Sequence, residues 1–200
     1  MHVIIDYDVG NLDSVQRAFK RVGIDTIISG DKEVIKDAKS LILPGVGAFG
    51  DAMEKLKERD LIKSIKRHVN CGKFLIGICL GMQLLYEKGY EYGEYQGLDL
   101  IKGSVKILDI SLKVPHMGWN QLNFIKKDPV LRYIKENDYV YFVHSYYVNS
   151  SQNELIAYAD YEKKIPAIVR KKNIYGMQFH PEKSGDVGEK ILKAYGEMIK

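Results

Sequence analysis

The 200-residue chain carries 30 basic and 26 acidic residues, a formal charge of +4, and 46% of it is hydrophobic. That length makes one domain, residues 1–200, able to bury a substantial core, and the mild charge is spread along the chain, which argues against a nucleic-acid groove. No run approaches a membrane span and M-H-V-I-I-D-Y opens directly into a strand without a basic leader, so a cytoplasmic location is expected. Cys71 and Cys79 are too few for a disulfide scaffold and lack zinc-like spacing, and His2, His68 and His116 have no acidic partner at metal-like spacing.

In chain order, Val3 to Asp6 reads as a strand, followed by a Gly10-Asn11 turn and a helix from Asp13 to Val22. Thr26 to Ser29 is a second strand, and Asp31 can cap a short helix reaching Lys39. Leu41 to Leu43, a third strand, runs into Pro44-Gly45-Val46-Gly47-Ala48-Phe49-Gly50. A helical stretch from Asp51 to Asn70 follows, broken near Asp60. Phe74, Leu75, Ile76 and Ile78 form an apolar run that fits a strand buried on both faces of a parallel sheet. A helix from Leu80 to Glu87 comes next, then a loop rich in glycine and tyrosine, Gly89 to Gly97. Beyond Leu98 the pattern turns to short β runs at Val105–Leu108, Gln121–Phe124, Tyr139–Val143, Leu155–Ala159, Ala167–Val169 and Ile174–Phe179. Gly188 to Lys200 closes the chain as a helix. Strands alternating with helices predict an α/β fold with a mostly parallel sheet and additional antiparallel strands.

Cys79 sits where the central strand turns into a helix, flanked by Gly77 and Gly81. A lone buried cysteine is ordinarily a small core hydrophobe, and Cys71 is read as such. Gly-x-Cys-x-Gly is instead a thiol version of the nucleophile elbow. A sharp turn holds the sulfur in a strained conformation, and small neighbours let the turned chain approach strand and helix. The helix N-terminus favours a thiolate and leaves backbone N–H groups facing a developing oxyanion. The P-G-V-G loop and Cys79 both fall at carboxyl ends of strands, where sites in such sheets lie.

A thiol nucleophile needs a base, and the base needs an orienting group. Phe179-His180-Pro181-Glu182 supplies both, because residues two apart in an extended segment point to the same side and Pro181 stiffens the link. His144-Ser145 lacks Gly-x-Ser-x-Gly, so a serine hydrolase is not the reading. His2, His68 and His116 are taken as bland. Trp119, the only tryptophan, sits in what reads as a loop and is either a small-cluster anchor or an interface residue.

G-I-C-L-G-M-Q together with Q-F-H-P-E-K-S resembles the class I glutamine amidotransferases. P-G-V-G-A-F-G-D and P-H-M-G-W-N resemble, within them, the glutaminase subunits of imidazole glycerol phosphate synthases, and the similarity spans essentially the whole chain. The resemblance implies a flavodoxin-like amidotransferase fold, a Cys79-His180-Glu182 triad, and an oxyanion hole from the N–H of Leu80 and of Val46 or Gly47. It implies that Gln83, Ser145 and Tyr146 contact the amino-acid end of glutamine. Asn11, Trp119, Tyr141 and Lys183 match positions at the face of a (βα)₈-barrel synthase partner. It implies no metal or organic cofactor. It also implies an oxyanion hole imperfectly formed in the isolated subunit, since a two-glycine loop can flip a peptide plane.

Three other readings compete. Free-standing pyridoxal phosphate and purine glutaminases share Cys, His and Glu but fit P-G-V-G-A-F-G and P-H-M-G-W-N poorly. A paralogue feeding a surface-sugar amidotransferase would be separated by gene neighbourhood. A catalytically silent regulatory or binding subunit would be expected to lack Cys79, His180 or Glu182, and all three are present.

Overall fold

In a computed structural model describing residues 1–200, fourteen strands and six α-helices form. The first half runs β1 (His2–Ile5), α1 (Leu12–Arg21), β2 (Thr26–Ser29), α2 (Lys32–Asp37), β3 (Ser40–Leu43), α3 (Phe49–Glu58), α4 (Ile62–Asn70), β4 (Phe74–Ile78) and α5 (Leu80–Leu84). The second half is strand-rich: β5 (Tyr86–Gly89), β6 (Tyr95–Gln96), β7 (Ile101–Ile107), β8 (His116–Gln121), β9 (Asn123–Phe124), β10 (Tyr139–His144), β11 (Tyr146–Ser150) and β12 (Leu155–Tyr161). It ends with β13 (Lys163–Lys171), β14 (Ile174–Met177) and α6 (Gly185–Met198).

The main sheet has the order β2-β1-β3-β4-β14-β13-β12-β9. Its first five strands are mutually parallel, and β13, β12 and β9 add antiparallel pairs, as the sequence predicts. Two-residue periodicity explains why these strands are apolar throughout. Val3, Ile5, Leu41, Leu43 and Leu75 face one core with Phe49, Leu56 and Ile65 of α3 and α4. Ile4, Ile42, Ile76 and Ile78 face the other, with Val15 and Phe19 of α1 and Ile191, Leu192 and Tyr195 of α6. Asp31 caps α2 through the N–H groups of Glu33 and Val34, and Asp60, at φ +52°, breaks the helical stretch where predicted.

Four departures matter. The elbow helix stops at Leu84 rather than Glu87, because residues 98–101 capture its last carbonyls: Leu98 N–H bonds Leu84 O, and Leu100 and Ile101 bond Leu85 O. Tyr86–Gly89 then pairs with β7 and β6, which also gives the glycine-tyrosine loop a strand. His116–Gln121, read as a loop, is strand β8, paired antiparallel to β10 with His144 opposite His116 and Tyr141 opposite Trp119. Tyr146–Ser150, unassigned in the sequence, is β11 and pairs with β7. Cys71 is exposed rather than a core thiol.

Candidate active site

The central strand β4 ends at Ile78, and Cys79 follows with φ 55° and ψ −113°, the strained turn the Gly-x-Cys-x-Gly spacing predicts. The two glycines are required by contact rather than by flexibility. A Cβ at Gly77 would stand 2.5 Å from the Gly81 carbonyl oxygen, and one at Gly81 would overlap the Leu43 carbonyl. Gly81 therefore lets α5 close directly onto the end of β3, bringing the P-G-V-G loop beside the cysteine. Tyr7, buried under that loop, donates to the Pro44 carbonyl at 2.6 Å and fixes its base. Gly47, at φ +91°, has no atom within 4 Å of where a Cβ would be, so the tip of the loop is unconfined.

Cys79 is 7% exposed and lines a cavity of about 350 Å³ together with Val46, Gly47, Leu80, Gln83, Ser145, Tyr146, His180 and Lys183. The return of β14 parallel to β4 delivers the distant Phe179-His180-Pro181-Glu182 segment to the sulfur. His180 Nδ1 lies 2.7 Å from Glu182 Oε1, and both side chains are almost wholly buried. A carboxylate oxygen only accepts, so Nδ1 carries the proton and the other nitrogen is left for Cys79. Burial opposes a charge on this ring, but the neighbouring Cys79 sulfur and the hydrogen-bonded Glu182 carboxylate outweigh it, raising the imidazole from 6.5 to about 9. The backbone supports the ring as well: His180 N–H donates to the Tyr141 carbonyl, and Ser184 Oγ–H donates to the His180 carbonyl at 2.7 Å.

Donors for an oxyanion are present at the expected places. Leu80 N–H opens α5 and has no acceptor further back in the helix. The N–H groups of Val46 and Gly47 donate to no carbonyl or side chain of the protein. Ser145 N–H likewise has no protein acceptor, whereas its carbonyl is taken by Leu108 N–H at 2.9 Å, so this residue presents donors to the cavity. Gln83 lines the cavity but spends its amide elsewhere: Nε2 donates to the Tyr146 carbonyl at 3.0 Å and to Gln178 Oε1 at 3.1 Å.

Glu91 was not singled out in the sequence, where it sits in an unremarkable Gly-Tyr-Glu-Tyr-Gly run. It lines the same cavity, and its Oε2 accepts from Phe49 N–H at 2.7 Å, supplying the side-chain acceptor that Ala48 denies α3. Partial burial raises this carboxyl despite the Phe49 donor.

Trp119 and Tyr141 meet edge to face at 6.0 Å on the two-stranded sheet, and Trp119 remains 55% exposed beside exposed Met117 and Tyr139. Lys183 follows the triad at the cavity rim. Asn11 lies apart from this patch in role: its side chain caps α1 by accepting from Ser14 N–H. Among histidines, His116 is not bland; it is buried and hydrogen-bonded to His144. No group of histidine, cysteine, aspartate or glutamate side chains could hold a metal ion.

A buried elbow cysteine coupled to an imidazole and a carboxylate, on this sheet order, defines a glutamine amidotransferase of the class-I type. The family model for glutamine amidotransferase class-I matches residues 3–195. Imidazole glycerol phosphate synthase subunit HisH of Lactococcus lactis is 57% identical over 98% of this chain and 98% of its own. The subunits of that name from Caldanaerobacter subterraneus and Oceanobacillus iheyensis are 52% and 50% identical, over 98% and 100% of both chains. The chain therefore belongs to the class-I glutamine amidotransferases, in the HisH family. The fold is also that of a solved glutamine amidotransferase (21% identity, 97% of this chain and 98% of that one, TM-score 0.76) and of a chain in the PurLQS structure from Thermotoga maritima (18%, 100% and 98%, TM-score 0.77).

Proposed function

We propose that residues 1–200 act as one glutaminase domain that hydrolyses L-glutamine to L-glutamate and ammonia through a cysteinyl thioester. The observation that carries this reading is the meeting of Cys79 and His180 in one cavity beside unpaired backbone donors, with Glu182 buried behind the ring on its Nδ1. Cys79 Sγ attacks the side-chain carboxamide carbon, forming a C–S bond and an oxyanion that the N–H of Leu80 and of Val46 or Gly47 accommodates. Glu182 keeps hydrogen on Nδ1, so the other ring nitrogen takes the thiol proton, and the imidazolium that results protonates the departing ammonia. Water then attacks the γ-glutamyl thioester, with His180 taking its proton, and glutamate leaves as the thiol reforms.

At the other end of the substrate, Ser145 N–H and hydroxyl serve the α-carboxylate and Glu91 serves the α-ammonium. Gln83 and Tyr146 contact that end as packing and framing residues, because the Gln83 amide is already committed to Tyr146. Ammonia passes to a (βα)₈-barrel synthase subunit that makes imidazole glycerol phosphate and aminoimidazole carboxamide ribotide in histidine biosynthesis, in the cytoplasm. The names of the relatives support that partner, and the exposed Trp119–Tyr141 patch, with Lys183 and Asn11, is the proposed docking face. The unconfined tip at Gly47 supports activation by the partner through rotation of a loop peptide.

A glutaminase assay with and without the synthase subunit and its nucleotide ligand tests the reading. Turnover should be weak alone, rise strongly with both, and vanish in Cys79→Ala while the complex still forms. Residual hydrolysis near the wild-type rate in that variant would refute the nucleophile, and equal rates with and without the partner would refute the activation.

A further inference from the structure

The cavity holds a second histidine, His144, that the triad does not use. Its Nδ1 stands 2.8 Å from the Tyr146 carbonyl and its Nε2 stands 3.0 Å from Nδ1 of His116. His116 Nε2 in turn lies 3.2 Å from Asn120 Nδ2. Proton positions along this chain follow from its two ends. At one end a carbonyl can only accept, so His144 Nδ1 bears hydrogen. At the other, Asn120 Oδ1 accepts from Gln121 N–H at 2.7 Å and its Nδ2 donates to the Asp160 carbonyl at 3.0 Å, which fixes the amide orientation and makes Nδ2 the donor to His116. His116 Nε2 is then an acceptor, and two ring nitrogens 3.0 Å apart can share only one proton.

We propose that His116 and His144 form a tautomer-locked neutral pair, with donors running Asn120 to His116 to His144 to the Tyr146 carbonyl, that positions the Ser145–Tyr146 segment for substrate. Both are positioning residues. The Tyr146 carbonyl receives a second donor from Gln83 of the elbow helix, so the peptide that follows Tyr146 is held from the nucleophile side and from the β8–β10 sheet at once, and Ser145 is anchored through its neighbour. The pair is built for rigidity: His116 is stacked between Phe142 and Tyr161, with ring centroids 4.6 and 4.0 Å away. Burial drives both rings toward the neutral form, to about 4 for His116 and about 3 for His144, where the neighbouring His116 and His180 add to the effect. The titratable groups around the pair are His180, Cys79, Glu91 and Lys183, which share the cavity with His144, and Tyr161 in the stack, and no carboxylate forms an ion pair with either ring. A His144 with both nitrogens committed has no lone pair for the thiol, which leaves His180 as the only imidazole in the cavity free to take its proton.

The test has two arms. In the full-length chain labelled with ¹⁵N-histidine, both rings should carry hydrogen on Nδ1 and stay neutral from pH 8 to pH 5. Hydrogen on Nε2 of either ring, or titration of either within that range, overturns the proposal. The second arm rests on the glutaminase reading and is measured with the synthase partner present. His116→Phe keeps the stack but not the hydrogen bonds, and should raise KM for glutamine about tenfold or more while kcat stays within about threefold, as expected when one buried hydrogen-bonded link is lost. His116→Gln, which can donate to His144 and accept from Asn120, should restore KM. Unchanged KM in the phenylalanine variant, or equal damage in both variants, would overturn it. The spectra need no turnover, so they decide the pair even if the wild-type chain proves inactive, an outcome that would sink the proposed function alone.

Discussion

Replacing Glu182 with glutamine isolates the charge at the back of the triad. The carboxylate accepts from His180 Nδ1 at 2.7 Å, both side chains are about 95% or more buried, and the other carboxylate oxygen has no partner. Glutamine keeps the shape and can still present an oxygen to Nδ1–H, but it removes a charge-assisted hydrogen bond of roughly 1.5–3 kcal/mol. Because 1.4 kcal/mol corresponds to tenfold in rate, kcat/KM for glutamine should fall about ten- to a hundredfold. The pH dependence carries the sign. With Glu182 in place His180 stays protonated up to about pH 9; in Glu182→Gln the alkaline limb of kcat should move toward neutral pH. The new amide nitrogen would also sit where a buried oxygen lacks a partner, costing about 1–3 kcal/mol of stability. Steady-state kinetics from pH 6 to 10 and urea midpoints would read all three effects. An unchanged kcat/KM with an unmoved alkaline limb would refute the assignment of Glu182 as the group that stabilises the imidazolium.

Three further outcomes are expected. Glu91→Gln should raise KM for glutamine about tenfold or more with a smaller change in kcat, and leave the melting temperature intact because the amide oxygen can still accept from Phe49 N–H; an unchanged KM would remove Glu91 from the substrate site. His180 is raised from 6.5 to about 9, so its contribution to stability is complete below pH 6.5 and lost as pH rises through about 9, amounting to at most about 3 kcal/mol at 1.36 kcal/mol per pH unit. Urea midpoints of wild type and His180→Asn across that window should differ in slope, and parallel curves would contradict the coupling. Gly81→Ala forces the elbow helix off the Leu43 carbonyl, so it should lose several kcal/mol of stability or fail to accumulate folded, where a wild-type midpoint would show that the approach is not tight.

Local chemistry in the chain was sufficient for the parallel half of the fold, for the strained turn at Cys79 and for the His180–Glu182 contact. Short apolar runs at Leu41–Leu43 and Phe74–Ile78 fit doubly buried strands, Gly77 and Gly81 fit a tight turn around Cys79, and His180-Pro181-Glu182 is a single short segment. What the tertiary structure decided is everything whose partner lies far along the chain. His116–Gln121 has no alternating pattern and becomes a strand only because β10 offers it a hydrogen-bonding edge. The elbow helix ends early because residues 98–101 compete for its carbonyls, and Glu91 becomes a site residue only because α3 presents Phe49 N–H to it. His116 and His144 have no local signal at all; their protonation is dictated by Tyr146, Asn120 and Asp160, which meet only in the folded protein. Turn strain and strand burial are short-range and so are written in residue type and spacing, whereas the roles of buried polar groups depend on which donor and acceptor the fold sets opposite them.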